Sequence, residues 1–212
     1  MKVLIIGSGN MGKTYARSFL TSRFIAAKDL FVLDKNRDNT SSLHEIPAIR
    51  QLTKALKIVR CMPNLPAQIG MSMTVFTSSP EIDKKELFIV QNLINTTGKS
   101  VYVEDENMID AATAISGSGP AYVYYFMEAM IQAGVKMGFT LAQAELLVNQ
   151  TFMGAVHLHN QSELTCGEWI DRVASKGGTT EAALKVFKEN IVGEKIDTAL
   201  GAALNRAKEL GK

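Results

Sequence analysis

Apolar positions along the chain keep two rhythms, one in each half. Up to Val103 they come as short bursts: Lys2-Val3-Leu4-Ile5-Ile6, Leu30-Phe31-Val32-Leu33, Lys57-Ile58-Val59-Arg60, Met71 to Thr77, and Ser100-Val101-Tyr102-Val103. Short runs rich in β-branched and aromatic residues, bounded by turn signals, predict buried strands. Tyr15, Ala16, Phe19 and Leu20 fall at helical spacing, and a second helix is predicted to open between Pro80 and Leu87, run to about Thr96 and stop at Gly98. From Asn107 onward the period changes from two to 3.6 and no strand pattern returns. That change places a domain boundary near Glu106, giving an α/β domain over 1–106 and an all-helical domain over 107–212.

Within the helical half, a helix beginning at Asp110–Ile115 meets Ser116-Gly117-Ser118-Gly119-Pro120, where two glycines and a proline interrupt or kink it. It resumes from Ala121, with Pro120 suited to the first turn. From Tyr122 to Val135 this helix is apolar almost all round, Glu128 and Gln132 being the chief exceptions. A helix without a polar face must be covered on every side. A monomeric bundle with this helix at its centre would cover it, and so would the same helix from a second subunit. With only about 100 residues in this half, the dimer is the expectation. Thr140-Leu141-Ala142-Gln143 is a capping box opening a helix to about Asn160, and Thr165-Cys166-Gly167-Glu168 is a second one. A last helix covers about Gly193 to Leu210.

The first strand runs directly into Gly7-Ser8-Gly9-Asn10-Met11-Gly12, which opens a helix. This is G-x-G-x-x-G in the context a dinucleotide site requires. The first glycine makes the turn, the second admits the pyrophosphate, and the third lets helix and strand pack closely. The second strand ends at Asp34, 22 residues past Gly12, where a carboxylate would accept hydrogen bonds from an adenine ribose. The N-terminal domain is therefore expected to be Rossmann-like. Asp34 argues for NADH, because its charge repels a 2′-phosphate. Lys35, Asn36 and Arg37 follow at once and are equally suited to hold that phosphate, which leaves NADPH open. Pro63 and Asn64, in the rigid turn Cys61-Met62-Pro63-Asn64-Leu65-Pro66 after the third apolar run, fall where a nicotinamide contact is expected; a purely structural turn fits equally well.

Only 22 residues separate Asp34 from Lys57, against roughly 30 for each βαβ unit. Middle strands of a full dinucleotide-binding sheet are thus missing. Either the half is shortened or a segment is absent there; the intact signals on both sides favour the second.

Val173-Ala174-Ser175-Lys176-Gly177-Gly178-Thr179-Thr180-Glu181 reads as a helix end, a glycine loop and the start of another helix. Gly177 and Gly178 bring backbone N–H groups within reach of a ligand, and Thr179 and Thr180 stand where that next helix needs a cap. Free N–H groups at a helix start attract a carboxylate or phosphate. An ordinary helix–loop–helix corner with a threonine N-cap fits the same spacing.

Composition changes this picture little. The chain is 46% apolar and 21% charged with a net charge of +2, and no basic run suggests nucleic acid or a membrane surface. Two cysteines, Cys61 and Cys166, show no metal spacing and suit a reducing, cytoplasmic setting. His157 and His159, two apart, lie on different helical faces, so no metal site is expected. No apolar run approaches the roughly 18 residues of a membrane span, and a soluble protein is expected.

Taken together, Gly7–Gly12, Met62-Pro63-Asn64, Ser116-Gly117-Ser118-Gly119-Pro120-Ala121-Tyr122 and above all Ser175-Lys176-Gly177-Gly178-Thr179-Thr180 with Ala182-Ala183-Leu184 resemble pyrroline-5-carboxylate reductase. The resemblance implies reduction of a cyclic imine to L-proline, the last step of proline biosynthesis, with NADPH or NADH. It also implies a homodimer through the helical domain, and dimers that can assemble further. It assigns the substrate carboxylate to N–H groups around Gly178, Thr179 and Thr180, and the ring nitrogen to the Thr180 hydroxyl. Ser175 lines the same loop and Glu163 stands near that nitrogen. The family's third to fifth strands have no counterpart between Asp34 and Lys57. A reductase for another imine or 2-oxo acid, and a dimeric module that binds without reducing, are the competing readings; the substrate loop argues against both.

Overall fold

A computed structural model describes residues 2–7, 9–33 and 57–210. The chain divides into two compact units, Met1–Pro120 with Ala203–Lys212, and Ala121–Ala202. The helical pattern expected from residue 107 therefore begins inside the first unit.

In the first unit, β1 (Val3–Ile6) leads into α1 (Asn10–Thr21) and a 3₁₀ turn at Ala27–Asp29, then β2 (Leu30–Leu33). β1 and β2 pair in parallel, Val3 opposite Leu30, as a β-α-β crossover requires. β3 (Val59–Met62), β4 (Ser72–Ser78) and β5 (Gly98–Tyr102) make a second sheet in the order β3-β4-β5. Here β4 and β5 are parallel and β3 is antiparallel to β4. Among the described residues the strands thus form two sheets. β3 sits two residues later than its apolar run suggested, because Lys57 and Ile58 pair outside the ladder: the Ile58 N–H donates to Ser79 Oγ, and Lys57 is salt-bridged to Glu86.

α2 (Lys84–Ile94) lies between β4 and β5. It starts four residues later than Pro80 because Asp83 and Glu86 form a reciprocal capping box, the Asp83 carboxylate accepting the Glu86 N–H at 2.8 Å. One core joins both sheets: Phe76, Tyr15, Phe19, Ile25, Leu93 and Ile94 are buried, with Val3, Ile5 and Val59 against them.

α3 (Met108–Ala112) passes straight into a π-helical turn, Thr113–Gly117, in which the Ser118 N–H reaches back five residues to the Thr113 carbonyl. The expected α-helix to Ile115 is shorter for that reason. α4 (Gly119–Lys136) then begins two residues before Ala121, with Pro120 in its first turn as expected.

The second unit holds most of α4, then α5 (Leu141–Asn160), α6 (Cys166–Val173) and α7 (Thr179–Glu189), and α8 (Val192–Leu210) starts there. Both expected capping boxes are present, Thr140 with Gln143 and Thr165 with Glu168. Its buried cluster is small: Ile131, Ala144 and Val148, with Met127 and Phe152 against them. Val123, Tyr124, Tyr125, Phe126, Leu146 and Met153 are exposed instead. No helix among the described residues is long and apolar enough to cross a membrane.

The Thr165 cap yields a pH prediction. The Glu168 carboxyl lies below the ordinary carboxylate range, because it accepts the Thr165 N–H at 2.7 Å and then the Thr165 hydroxyl at 2.8 Å. A lowered folded-state value means that the stabilisation is complete above the ordinary value and is lost as pH falls through the lowered one. The Thr165 amide resonance is expected to titrate with a midpoint below that of a free glutamate. Glu168→Gln is expected to abolish that titration; a midpoint at the free value counts against the cap.

Candidate functional site

The glycine turn after β1 gives each glycine a separate physical task. Gly7 has φ +97°, a conformation that favours glycine, and turns the chain out of β1. Gly12 lies so close to that turn that an added Cβ would stand 1.7 Å from the Gly7 carbonyl oxygen. Gly9 is the N-cap of α1, and the space where its Cβ would stand is open. No side chain caps α1 and no acidic residue lies in its first turn. The N–H groups at Asn10 and Met11 therefore present a positive end with no competing side chain among the described residues. Ser8, Asp34, Lys35 and Asn36, the other expected cofactor residues, lie outside the described residues. A cavity of about 740 Å³ runs along α1 past Lys13, Arg17, Ser18, Gln68 and Thr96, and of the described candidate residues it touches only Asn10.

Pro63 and Asn64 follow β3. The Asn64 side chain is committed within the protein. Its Nδ2 donates to the Ser116 carbonyl at 3.0 Å, and its Oδ1 accepts from the Met73 N–H at 3.0 Å and from Ser72 Oγ at 3.2 Å. The fold thus brings together two stretches the sequence singled out separately, Met62-Pro63-Asn64 and Ser116-Gly117. Met62 Cε would be 2.4 Å from a Cβ on Gly117, so the methionine packs here against a position without a side chain.

The loop between α6 and α7 is a hydrogen-bonded turn. The Gly178 N–H donates to the Ser175 carbonyl at 2.9 Å, and Gly177 has φ +72°, the left-handed conformation that the third residue of a type II turn needs. A Cβ on Gly178 would stand 2.5 Å from Ser175 Oγ and 3.0 Å from the Ser175 carbonyl oxygen, so a side chain here requires Ser175 to shift. Two expectations change here. Gly178, and not a threonine, is the N-cap of α7, because Thr179 already has its place in the first helical turn. Of the backbone donors expected to face a ligand, two are taken: Gly178 N–H by the turn, and Gly177 N–H by the Glu181 carboxylate at 2.6 Å. Glu181 was missed as a loop residue, although an acidic side chain in the first turn of a helix is the usual signal for such a contact.

The donors that remain are the N–H groups of Thr179 and Thr180, which precede the first intrahelical bond, Ala182 N–H to the Gly178 carbonyl. The Thr179 and Thr180 hydroxyls and the Ser175 hydroxyl have no partner among the described residues; Thr180 is half-buried, Ser175 and Thr179 exposed. Glu163 is exposed in the segment before the Thr165 cap, likewise without a partner there. His157 is occupied, its Nδ1 donating to the Met153 carbonyl at 2.8 Å. No group of three metal-ligating side chains occurs among the described residues. The second unit therefore presents the Thr179 and Thr180 backbone donors, unpartnered hydroxyls and a helix N-terminus, a set that suits a small carboxylate.

Comparison with known proteins follows the same lines. Residues 106–210 match the family described as pyrroline-5-carboxylate reductase dimerisation. The chain is 38% identical over 155 residues to a pyrroline-5-carboxylate reductase of Pseudomonas aeruginosa, covering 73% of this chain and 57% of that protein. It is 36% identical over 154 residues to that of Haemophilus influenzae, covering 72% and 57%. The chain thus spans well under two thirds of the length of these relatives. Among solved structures, a pyrroline-5-carboxylate reductase from Coxiella burnetii superposes with a TM-score of 0.82 at 27% identity, covering 99% of this chain and 98% of that one. The Plasmodium falciparum pyrroline carboxylate reductase, solved with NADP bound, gives 0.83 at 26%, covering 100% and 98%.

Proposed function

We propose that this chain, which belongs to the pyrroline-5-carboxylate reductase family, reduces 1-pyrroline-5-carboxylate to L-proline with NADPH or NADH. The observation that carries the reading is the loop before α7, where Thr179 and Thr180 offer free N–H and hydroxyl groups. The glycine turn fits a dinucleotide: it is open at Gly9, tight at Gly12, and uncapped by any described side chain at the α1 N-terminus. Gly7, Gly9, Asn10, Met11 and Gly12 would hold the pyrophosphate. Bound NAD(P)H supplies the hydride that adds to the C=N carbon.

The protein's own residues bind and orient. Thr179 and Thr180 N–H groups anchor the carboxylate, fixing the ring in one pose. The Thr180 hydroxyl accepts a hydrogen bond from the ring N–H. A protonated imine is already electrophilic, so placement contributes more than a strong acid would, and Glu163 adds negative charge near that nitrogen.

The exposed apolar faces of α4 and α5 are covered by the same faces of a second copy, giving a homodimer that can assemble further. Two free cysteines suit a reducing cytoplasm.

Oxidation of NADPH and NADH, followed with pyrroline-5-carboxylate present and absent, tests the activity. Substrate-dependent oxidation yielding proline is expected. Cofactor binding without oxidation would replace the reading with that of a binding module. Light scattering should give twice the mass of one chain or a multiple of it.

A further inference from the structure

Between the helix that carries the glycine turn and the π-helical turn at Ser116 lies an unbroken line of polar side chains, all within the first unit. Tyr15 OH is 2.7 Å from Thr74 Oγ1, which is 3.2 Å from Ser72 Oγ, which is 3.2 Å from Asn64 Oδ1. Asn64 Nδ2 then holds the Ser116 carbonyl. Tyr15, Thr74 and Ser72 are buried, Thr74 completely. Buried polar groups of this kind cost stability unless they are hydrogen-bonded, and here the line supplies the partners.

The direction of every proton along the line follows from its last member. The Asn64 amide is oriented by two contacts that agree: its oxygen faces the Met73 N–H, and its nitrogen faces the Ser116 carbonyl. An amide oxygen only accepts, so Ser72 must donate to it. A hydroxyl has one proton, so Thr74 must donate to Ser72 and Tyr15 to Thr74. Burial raises the Tyr15 phenol above its ordinary value, so it keeps its proton at neutral pH and can donate. Hydrogen bonds aligned in one direction polarise and strengthen one another.

The far end has a reason to need such a donor. In an α-helix the Ser116 carbonyl would accept from residue 120, but that residue is Pro120, which has no N–H. Asn64 supplies the donor proline lacks, and Gly117 allows Met62 to close over the turn.

We infer that Tyr15, Thr74, Ser72 and Asn64 are positioning residues that hold the π-helical turn Thr113–Gly117 in register with the helix of the cofactor-binding glycine turn. The catalytic consequence rests on the reductase reading above; the structural one does not.

The test breaks the line at its middle without changing its packing. Thr74→Val is nearly isosteric and removes only the hydroxyl, whereas Thr74→Ser keeps the hydroxyl and removes a methyl. Hydrogen exchange on the whole protein is the first readout. Thr74→Val should accelerate exchange over Thr113–Gly119 by about 5-fold or more while Thr74→Ser leaves it near wild type. A general loss of packing would instead harm Thr74→Ser at least as much, and unchanged exchange in Thr74→Val overturns the inference outright. Turnover is the second readout: kcat should fall about 5- to 10-fold in Thr74→Val, with KM for cofactor and imine within about twofold, and recover in Thr74→Ser. An inactive wild-type protein would sink the reductase reading alone, since exchange still decides this one. An active protein whose two variants behave alike would sink the positioning role and leave that reading intact.

Discussion

Gly12→Ala is expected to abolish measurable NAD(P)H binding, weakening it by more than about 100-fold, and to lower the stability of the first unit by about 2–3 kcal/mol. The added Cβ would stand 1.7 Å from the Gly7 carbonyl oxygen and 2.8 Å from its carbon. Neither is a flexible side-chain end. Either α1 moves off β1, or the turn at Gly7 opens and loses its positive-φ geometry. Both displace the N–H groups at the start of α1. Tyr15 and Phe19, further along the same helix, lie in the core and would shift with it. Gly9→Ala makes the control. Its backbone, φ −62° and ψ −171°, is open to any residue, and its Cβ meets nothing within 4 Å. That variant should unfold in urea like wild type yet bind NAD(P)H about tenfold or more weakly, because the methyl stands where a pyrophosphate would approach. Titration of cofactor fluorescence and urea melts read both quantities. Wild-type affinity in Gly12→Ala would remove the glycine turn from the cofactor site.

The parts of this fold that could be read in advance are those governed by nearby residues. Thr140 with Gln143 and Thr165 with Glu168 carry their capping partners three positions away, and both boxes form. Strand β1 followed by the glycine turn is equally local. Asp83 with Glu86 was legible in the same way but masked by Pro80, which is a common helix opener and here only precedes the cap. What the pattern could not give is how distant stretches share one place. Nothing in the spacing of Asn64 and Ser116, 52 positions apart, indicates that one amide serves the other. The antiparallel pairing of β3 with β4 is also non-local, because period two is the same in either direction. Around the candidate substrate loop, the order of helix end, glycine loop and new helix was legible, whereas the cap fell on Gly178 and not on a threonine. Which of the loop N–H groups stay free was decided by Ser175 and Glu181, through a turn whose backbone angles a residue pattern leaves open.

The same division of donors sets the second large effect. Thr180→Ala is expected to lower kcat/KM for the imine by about 10- to 100-fold, a loss of roughly 1.4–2.7 kcal/mol of transition-state stabilisation. The fold should be unaffected, because the Thr180 hydroxyl has no partner among the described residues and Gly178 holds the N-cap position of α7. Thr179→Ala provides the contrast. Its backbone N–H is retained and its side chain is exposed, so it should cost less than about threefold if the carboxylate is held by backbone donors. Separating kcat from KM distinguishes two ways Thr180 could act. A hydroxyl that meets the ring nitrogen as hydride adds should appear mainly in kcat; one that only helps seat the carboxylate should appear in KM. Thr180→Ser keeps the hydroxyl and should recover most of the activity. Full activity in Thr180→Ala would move the nitrogen contact elsewhere, and Glu163→Gln would then be the variant to examine, since Glu163 is the other side chain assigned to that nitrogen and has no competing partner among the described residues.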